Sequence, residues 1–137
     1  VLIAIKQMAL SGVEIKLIVP AIGDSKIVNA AAYSYYEELL EVGVKIYLYQ
    51  KGFVHAKTIL VDDDLAIIGS ANMDVRSQEL NFEVNTIVYD KSVNQTLFEH
   101  FLHDIKDSTE INLQQWKNRS KVKIFFEHLA RLFSPLL

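Results

Sequence analysis

Between residues 13 and 49 the apolar pattern alternates, turns helical, and alternates again. Val13, Ile15, Leu17 and Val19 alternate with Glu14, Lys16 and Ile18 as far as Pro20, which reads as a strand. Ile27 to Val42, rich in Ala, Tyr and Leu, reads as a helix closed by Gly43, and Val44 to Tyr49 as a second strand. A strand–helix–strand run of this kind implies parallel neighbours joined by a right-handed crossover. Residues 1 to 11 read as a helix ended by Gly12. Further on, Phe53 to Val61 and Leu65 to Ile68 predict a strand pair about the tight turn Asp62-Asp63-Asp64. Ser70 to Leu80 reads as a polar loop and Asn81 to Tyr89 as the next strand. Lys91 to Lys106 has the spacing of an amphipathic helix, with Val93, Leu97, Phe98, Phe101, Leu102 and Ile105 on its apolar face. A polar connector, Asp107 to Gln115, leads to a last helix from about Trp116 to Phe133. The expected fold is α/β, one mixed β-sheet flanked by α-helices, in a single domain over residues 1–137.

That length is enough to bury a core. Half of the 137 residues are hydrophobic and 23% are charged. The absence of cysteine excludes disulfides and thiolate metal ligands. A net charge of -3 gives no domain-wide basic footprint, so nucleic acid is not expected as a partner. No apolar run reaches the ~18 residues of a spanning helix, and these residues alone are expected to be soluble. The chain starts without Met, inside a helical pattern, and is expected to be a piece of a longer protein.

Chemistry concentrates in His55-Ala-Lys57-Thr-Ile-Leu-Val-Asp62 and the Gly69-Ser70-Ala-Asn72 that follows. Residues two apart on a strand share a face, so His55 and Lys57 are expected to converge on one small anion. Asn81, Glu83 and Asn85 share a face in the same way. An imidazole can attack phosphorus or hand a proton to a leaving alkoxide. Its second nitrogen needs a partner that fixes the tautomer, and Glu83 is the candidate. Lys57 and Asn72 can stabilise charge growing on non-bridging phosphate oxygens. No metal or other cofactor is needed if side chains supply the cations. Asp62, at a turn, reads as structural; the three consecutive acids read as a solvated turn rather than a metal site.

His-x-Lys-x4-Asp-x6-Gly-Ser-x-Asn, at His55, Lys57, Asp62, Gly69, Ser70 and Asn72, resembles the motif of the phospholipase D superfamily. The stretch GFVHAKTILVDDDLAIIGSANMDVRSQELNFEVNTIVYD is similar to the second motif region of bacterial cardiolipin synthases, as are SYYEELLEVGVKIYLYQ and the closing LARLFSPLL. The resemblance implies a phospholipase D-like half domain, the C-terminal half of a bacterial cardiolipin synthase, whose opening strand with a Tyr-Phe-x-Pro segment is missing. It implies a cofactor-independent phosphatidyl transfer that makes cardiolipin and glycerol from two phosphatidylglycerol molecules through a phosphohistidine. Two such motifs share that work, one His as nucleophile and the other as acid and base. If this is the second motif, His55 takes the acid/base role. The other motif would come from the same chain or from a homodimer, at a bacterial cell membrane with an anionic surface. Other readings are a phosphodiesterase, nuclease or phospholipase D, working as a homodimer, and a non-catalytic lipid-binding or assembly half.

Arg76 and Ser77 are candidates for contacts to a headgroup phosphate or for capping their loop, and Asn81 and Asn85 for contacts to substrate. His100 and His103 read as surface residues, and Tyr33, Tyr35 and Tyr36 as packing a helix against the sheet. In the last helix Lys117, Arg119, Lys121, Lys123 and Arg131 surround Val122, Ile124, Phe125, Phe126, Leu129, Leu132 and Phe133. Such a basic amphipathic helix can lie on an anionic bilayer, but packing of its apolar stripe onto its own domain is the favoured expectation.

Overall fold

Gly12 at φ 93° and Gly43 at φ 91° occupy left-handed backbone just past the first two helices, where a Cβ would add strain. The structure, a computed structural model, describes residues 1–23 and 25–134. Helix α1 (Leu2–Leu10) passes through Gly12 into β1 (Lys16–Pro20). Helix α2 (Lys26–Glu41), capped by the Ser25 hydroxyl that accepts from the Val28 N–H, passes through Gly43 into β2 (Lys45–Tyr49). β1 and β2 are parallel, from Lys16 opposite Lys45 to Pro20 opposite Tyr49. A hairpin, β3 (Thr58–Val61) and β4 (Leu65–Gly69), follows, then a short helix α3 (Val75–Glu79) and β5 (Asn85–Val88) on the far side of β4. Helix α4 (Lys91–Lys106) leads to β6 (Ser108–Glu110), which returns antiparallel to β2, and α5 (Leu113–Lys117) and α6 (Lys121–Arg131) end the described chain.

The α/β class with flanking helices is as the sequence predicts; the extents differ. Hydrogen bonding divides the strands into two three-stranded sheets, ordered β1-β2-β6 and β3-β4-β5, where one was expected. Helix α4 bridges them, packing on β2 and β6 of one and β3 and β4 of the other. The strand predicted from Phe53 begins only at Thr58, with one further ladder bond from the Gly69 N–H to the Lys57 carbonyl at 3.0 Å. The strand predicted from Asn81 begins only at Asn85. Both are short for one reason: β4 is their shared partner, and it ends at Gly69. The expected loop after Ser70 contains α3, and the expected polar connector after Lys106 contains β6. The last predicted helix is broken between Lys117 and Lys121.

The core gathers on the first sheet: Ile5, Tyr36, Leu39, Val44, Ile46 and Ile111, with Leu17, Val19, Leu48 and Trp116 packed around them. Tyr33, Tyr36 and Trp116 form an aromatic cluster with ring centroids 5.5 to 5.7 Å apart. Tyr35 instead lies under the Arg131 guanidinium of α6, 4.1 Å from its ring centre, so it packs helix against helix rather than helix against sheet. In the second sheet Ala66 is the one buried hydrophobic side chain among the described residues, while Ile59, Val61, Ile68 and Ile87 are exposed.

The orientation of α6 reverses the favoured expectation. The side that carries Glu127 and Arg131 faces inward: buried Glu127 accepts from Arg119 at 2.7 Å, and Arg131 donates to Glu38 of α2 at 2.6 Å. Val122, Phe125, Phe126, Leu129, Leu132 and Phe133 are exposed. The last three residues of the LARLFSPLL block lie outside the described residues.

Candidate active site

The strand β4 must end in a residue without a side chain. A Cβ on Gly69 would lie 2.5 Å from the Val84 carbonyl oxygen and 2.8 Å from the Asn85 Cα, and would also collide with the Asn85 side-chain oxygen. Glycine therefore lets the chain before β5 close on the end of β4, with the Ser70 N–H donating to the Val84 carbonyl at 3.0 Å. That closure sets the Ser70 hydroxyl between two groups. It accepts from the Val84 N–H at 3.1 Å and donates to the Glu83 carboxylate.

Glu83 is the hub of the site. Besides Ser70, its carboxylate accepts from the Asn81 amide at 3.3 Å. The bond from Ser70, then that from Asn81, holds the Glu83 carboxyl below the usual carboxylate range, with smaller help from the Ser77 hydroxyl and the Lys57 charge, while burial opposes them. One anion thus collects the end of β4, the helix α3 and the approach to β5. Ser77 itself is buried, and its N–H donates to Asp74, which caps α3 at 2.6 Å.

His55 and Lys57 lie just ahead of β3 on the chain opposite. The Lys57 ammonium turns back to donate to the His55 carbonyl oxygen at 2.9 Å. The His55 ring is exposed and stacks on Phe53, with centroids 5.5 Å apart and planes 26° from parallel. Among the described residues its imidazole makes no hydrogen bond or ion pair. Glu83, expected to fix that imidazole, is engaged by Ser70 and Asn81 instead; the segments expected to be strands, from Phe53 and from Asn81, lie on either side of β4 and both leave the ladder where it ends.

The other predicted residues fall around this centre. Asn72 is exposed, and its carbonyl accepts from the Gln78 amide at 3.0 Å, which ties it to α3. Arg76 is exposed on α3, and Asn85 is exposed beside Gly69. Asp62 sits remote from the Glu83 hub at the β3–β4 turn, in left-handed backbone at φ 47°. Asp63 and Asp64 are exposed beside it, and Asp64 pairs with Lys91 at 3.1 Å. Among the described residues no three His, Cys, Asp or Glu side chains gather as a metal-binding set. The sequence reading passed over Phe53, Asp74 and Gln78. Asp74 carried a usable signal, an acid directly before a helical turn; Phe53 and Gln78 carried none. The whole is an open surface site with an accessible imidazole, a lysine and an anionic hub that holds two serines and an amide in place.

The family described as "Cardiolipin synthase, PLD-like domain" matches residues 1–105. The chain is 47% identical over 137 residues to a cardiolipin synthase of Geobacillus thermodenitrificans, covering all of this chain and 27% of that protein. It is 44% identical over 134 residues to a cardiolipin synthase of Clostridium perfringens, covering 98% of this chain and 28% of that protein. The chain therefore spans a little over a quarter of the length of these relatives. A crystal structure of a phospholipase D family member, Nuc from Salmonella typhimurium, superposes with a TM-score of 0.70 at 18% identity, over 81% of this chain and 72% of that one, and so shares the fold. On the family match and the relatives together, this chain belongs to the family of cardiolipin synthase PLD-like domains.

Proposed function

We propose that the chain is one motif-bearing half of a phosphatidyltransferase that joins two phosphatidylglycerol molecules into cardiolipin at an anionic membrane surface. The observation that carries this is the accessible His55–Lys57 pair, beside a Ser70–Glu83–Asn81 network, in a chain of the cardiolipin synthase family. A second imidazole, from a longer parent or another copy, attacks the phosphorus of the first phosphatidylglycerol. A P–N bond forms, the P–O bond to glycerol breaks, and His55 gives its proton to the departing glycerol oxygen. His55 then takes the proton from a hydroxyl of the second phosphatidylglycerol. That oxygen bonds to phosphorus as the P–N bond breaks. Lys57 and Asn72 stabilise the non-bridging oxygens. Glu83 acts through Ser70 and Asn81 by holding the Gly69–Asn72 segment against the approach to β5. Arg76 and Asn85 border the site as headgroup contacts. No cofactor takes part.

In mixed micelles the parent protein converts phosphatidylglycerol to cardiolipin, and His55→Ala lowers the rate by about 10²–10⁴-fold, the usual contribution of a positioned acid/base. Full activity in that variant removes the proposal. Lipid labelled at the phosphatidyl group separates the two roles of His55. With a donor whose leaving group needs no proton, such as a phosphatidyl nitrophenol, loss of His55 as acid and base still leaves a phosphatidyl-histidine on the other motif, whereas its loss as nucleophile leaves none.

A further inference from the structure

Amphipathic helices on globular surfaces normally bury the apolar face and expose the charged one. Helix α6 does the reverse. Val122, Phe125, Phe126, Leu129 and Phe133 recur at helical spacing on one side and are exposed by 65%, 64%, 59%, 42% and 52%. The helix cannot easily roll this face inward, because two ion pairs hold the opposite side: Arg119 with buried Glu127, and Arg131 with Glu38. The charge around the exposed face is one-sided. Lys117, Arg119 and Arg131 are each matched by a carboxylate, whereas Lys121 and Lys123 at the start of the helix make no ion pair among the described residues.

We propose that α6 docks on an anionic phospholipid bilayer. Its aromatic edge sits in the interfacial layer, and Lys121 and Lys123 lie against lipid phosphates. Charge complementarity favours this occupant over a second copy of the chain, since the helix of a second copy offers no free carboxylate to Lys121 and Lys123: Glu127, the one acidic residue of α6, is buried against Arg119. The proposal deepens the phosphatidyltransfer reading and rests on it for the choice of phosphatidylglycerol as the anionic lipid.

Vesicle flotation tests it with this chain, phosphatidylcholine vesicles, and the same vesicles containing phosphatidylglycerol. The chain is expected to float with the anionic vesicles only. Phe125→Ser with Phe126→Ser lowers partitioning about ten-fold or more, as loss of an inserted aromatic edge demands. Lys121→Glu with Lys123→Glu lowers it to a similar degree and makes it insensitive to phosphatidylglycerol. All four positions are exposed, and far-UV circular dichroism and a thermal transition establish that each variant is folded. Absence of vesicle binding by the wild-type chain, or binding unchanged in both variants, overturns the proposal. So does a wild-type dimer in gel filtration that the Phe variant dissolves, which assigns the face to a second copy. Micelle transfer by the parent protein reads the catalytic proposal separately: His55→Ala loses transfer yet floats like the wild-type chain, so the two ideas fail independently.

Discussion

At Gly69 the reason for the residue is steric rather than conformational: the carbonyl of Val84 and the backbone of Asn85 occupy the space a side chain would need. Gly69→Ala must push β5 away from β4. Overpacking against backbone typically costs about 1–3 kcal/mol. Urea unfolding should show a loss in that range, with the Ser70–Glu83 hydrogen bond broken in the variant's structure. A mutant of wild-type stability refutes the argument. The motif residues were legible in the sequence because their identities and spacing are specific. What they touch was not. Alternation put Glu83 beside His55, yet the carboxylate is taken by Ser70 and Asn81. That outcome depends on where β4 stops, and the strand's own residues say nothing of their partner's length.

Elements were more legible where their signals are local. Gly12 and Gly43 marked the ends of α1 and α2, and the spacing of apolar residues gave α4 over Lys91–Lys106. β6 escaped because a three-residue strand, Ser108–Glu110, has no room for an alternation and exists only by pairing with β2. The facing of α6 escaped because both sides of that helix carry residues able to pack, and remote carboxylates decide between them. One of these, Glu38 on α2, accepts from Lys6 of α1 at 2.9 Å and from Arg131 of α6 at 2.6 Å. Burial alone would raise the Glu38 pKa; the two cations outweigh it and hold the carboxyl below the usual range. A depressed carboxyl stabilises the fold above its unfolded pKa, about 4.3 for Glu. That stabilisation is lost as the pH falls through the lower folded value. Glu38→Gln should lose roughly 1 kcal/mol or less at neutral pH, since these groups are partly solvated. The gap from wild type should close as the solution is acidified below the ordinary carboxylate range. A gap that stays constant with pH in urea titrations rules out the ionic explanation.

For the whole molecule, the α/β class and the strand–helix–strand beginning followed from the order of patterns. The division into two sheets did not, because alternation is the same in either arrangement. The two sheets are unequally buried. The first contains Ile46 and Tyr47, both buried, and rests on the main core. The second, which carries the proposed site, has Ala66 as its one buried hydrophobic side chain among the described residues. Amide protection in native proteins follows such differences in burial. Hydrogen exchange should therefore be slowest in β1, β2 and the flanking part of α2, and faster in β3, β4 and β5. Equal protection in both groups contradicts this. The consequence reaches past stability. A platform with little interior of its own takes its shape from what presses on it, and α4 packs against one side of it. Whatever meets Ile59, Val61 and Ile87, which the register places on one face, then also sets how firmly the histidine and its neighbouring lysine are aimed.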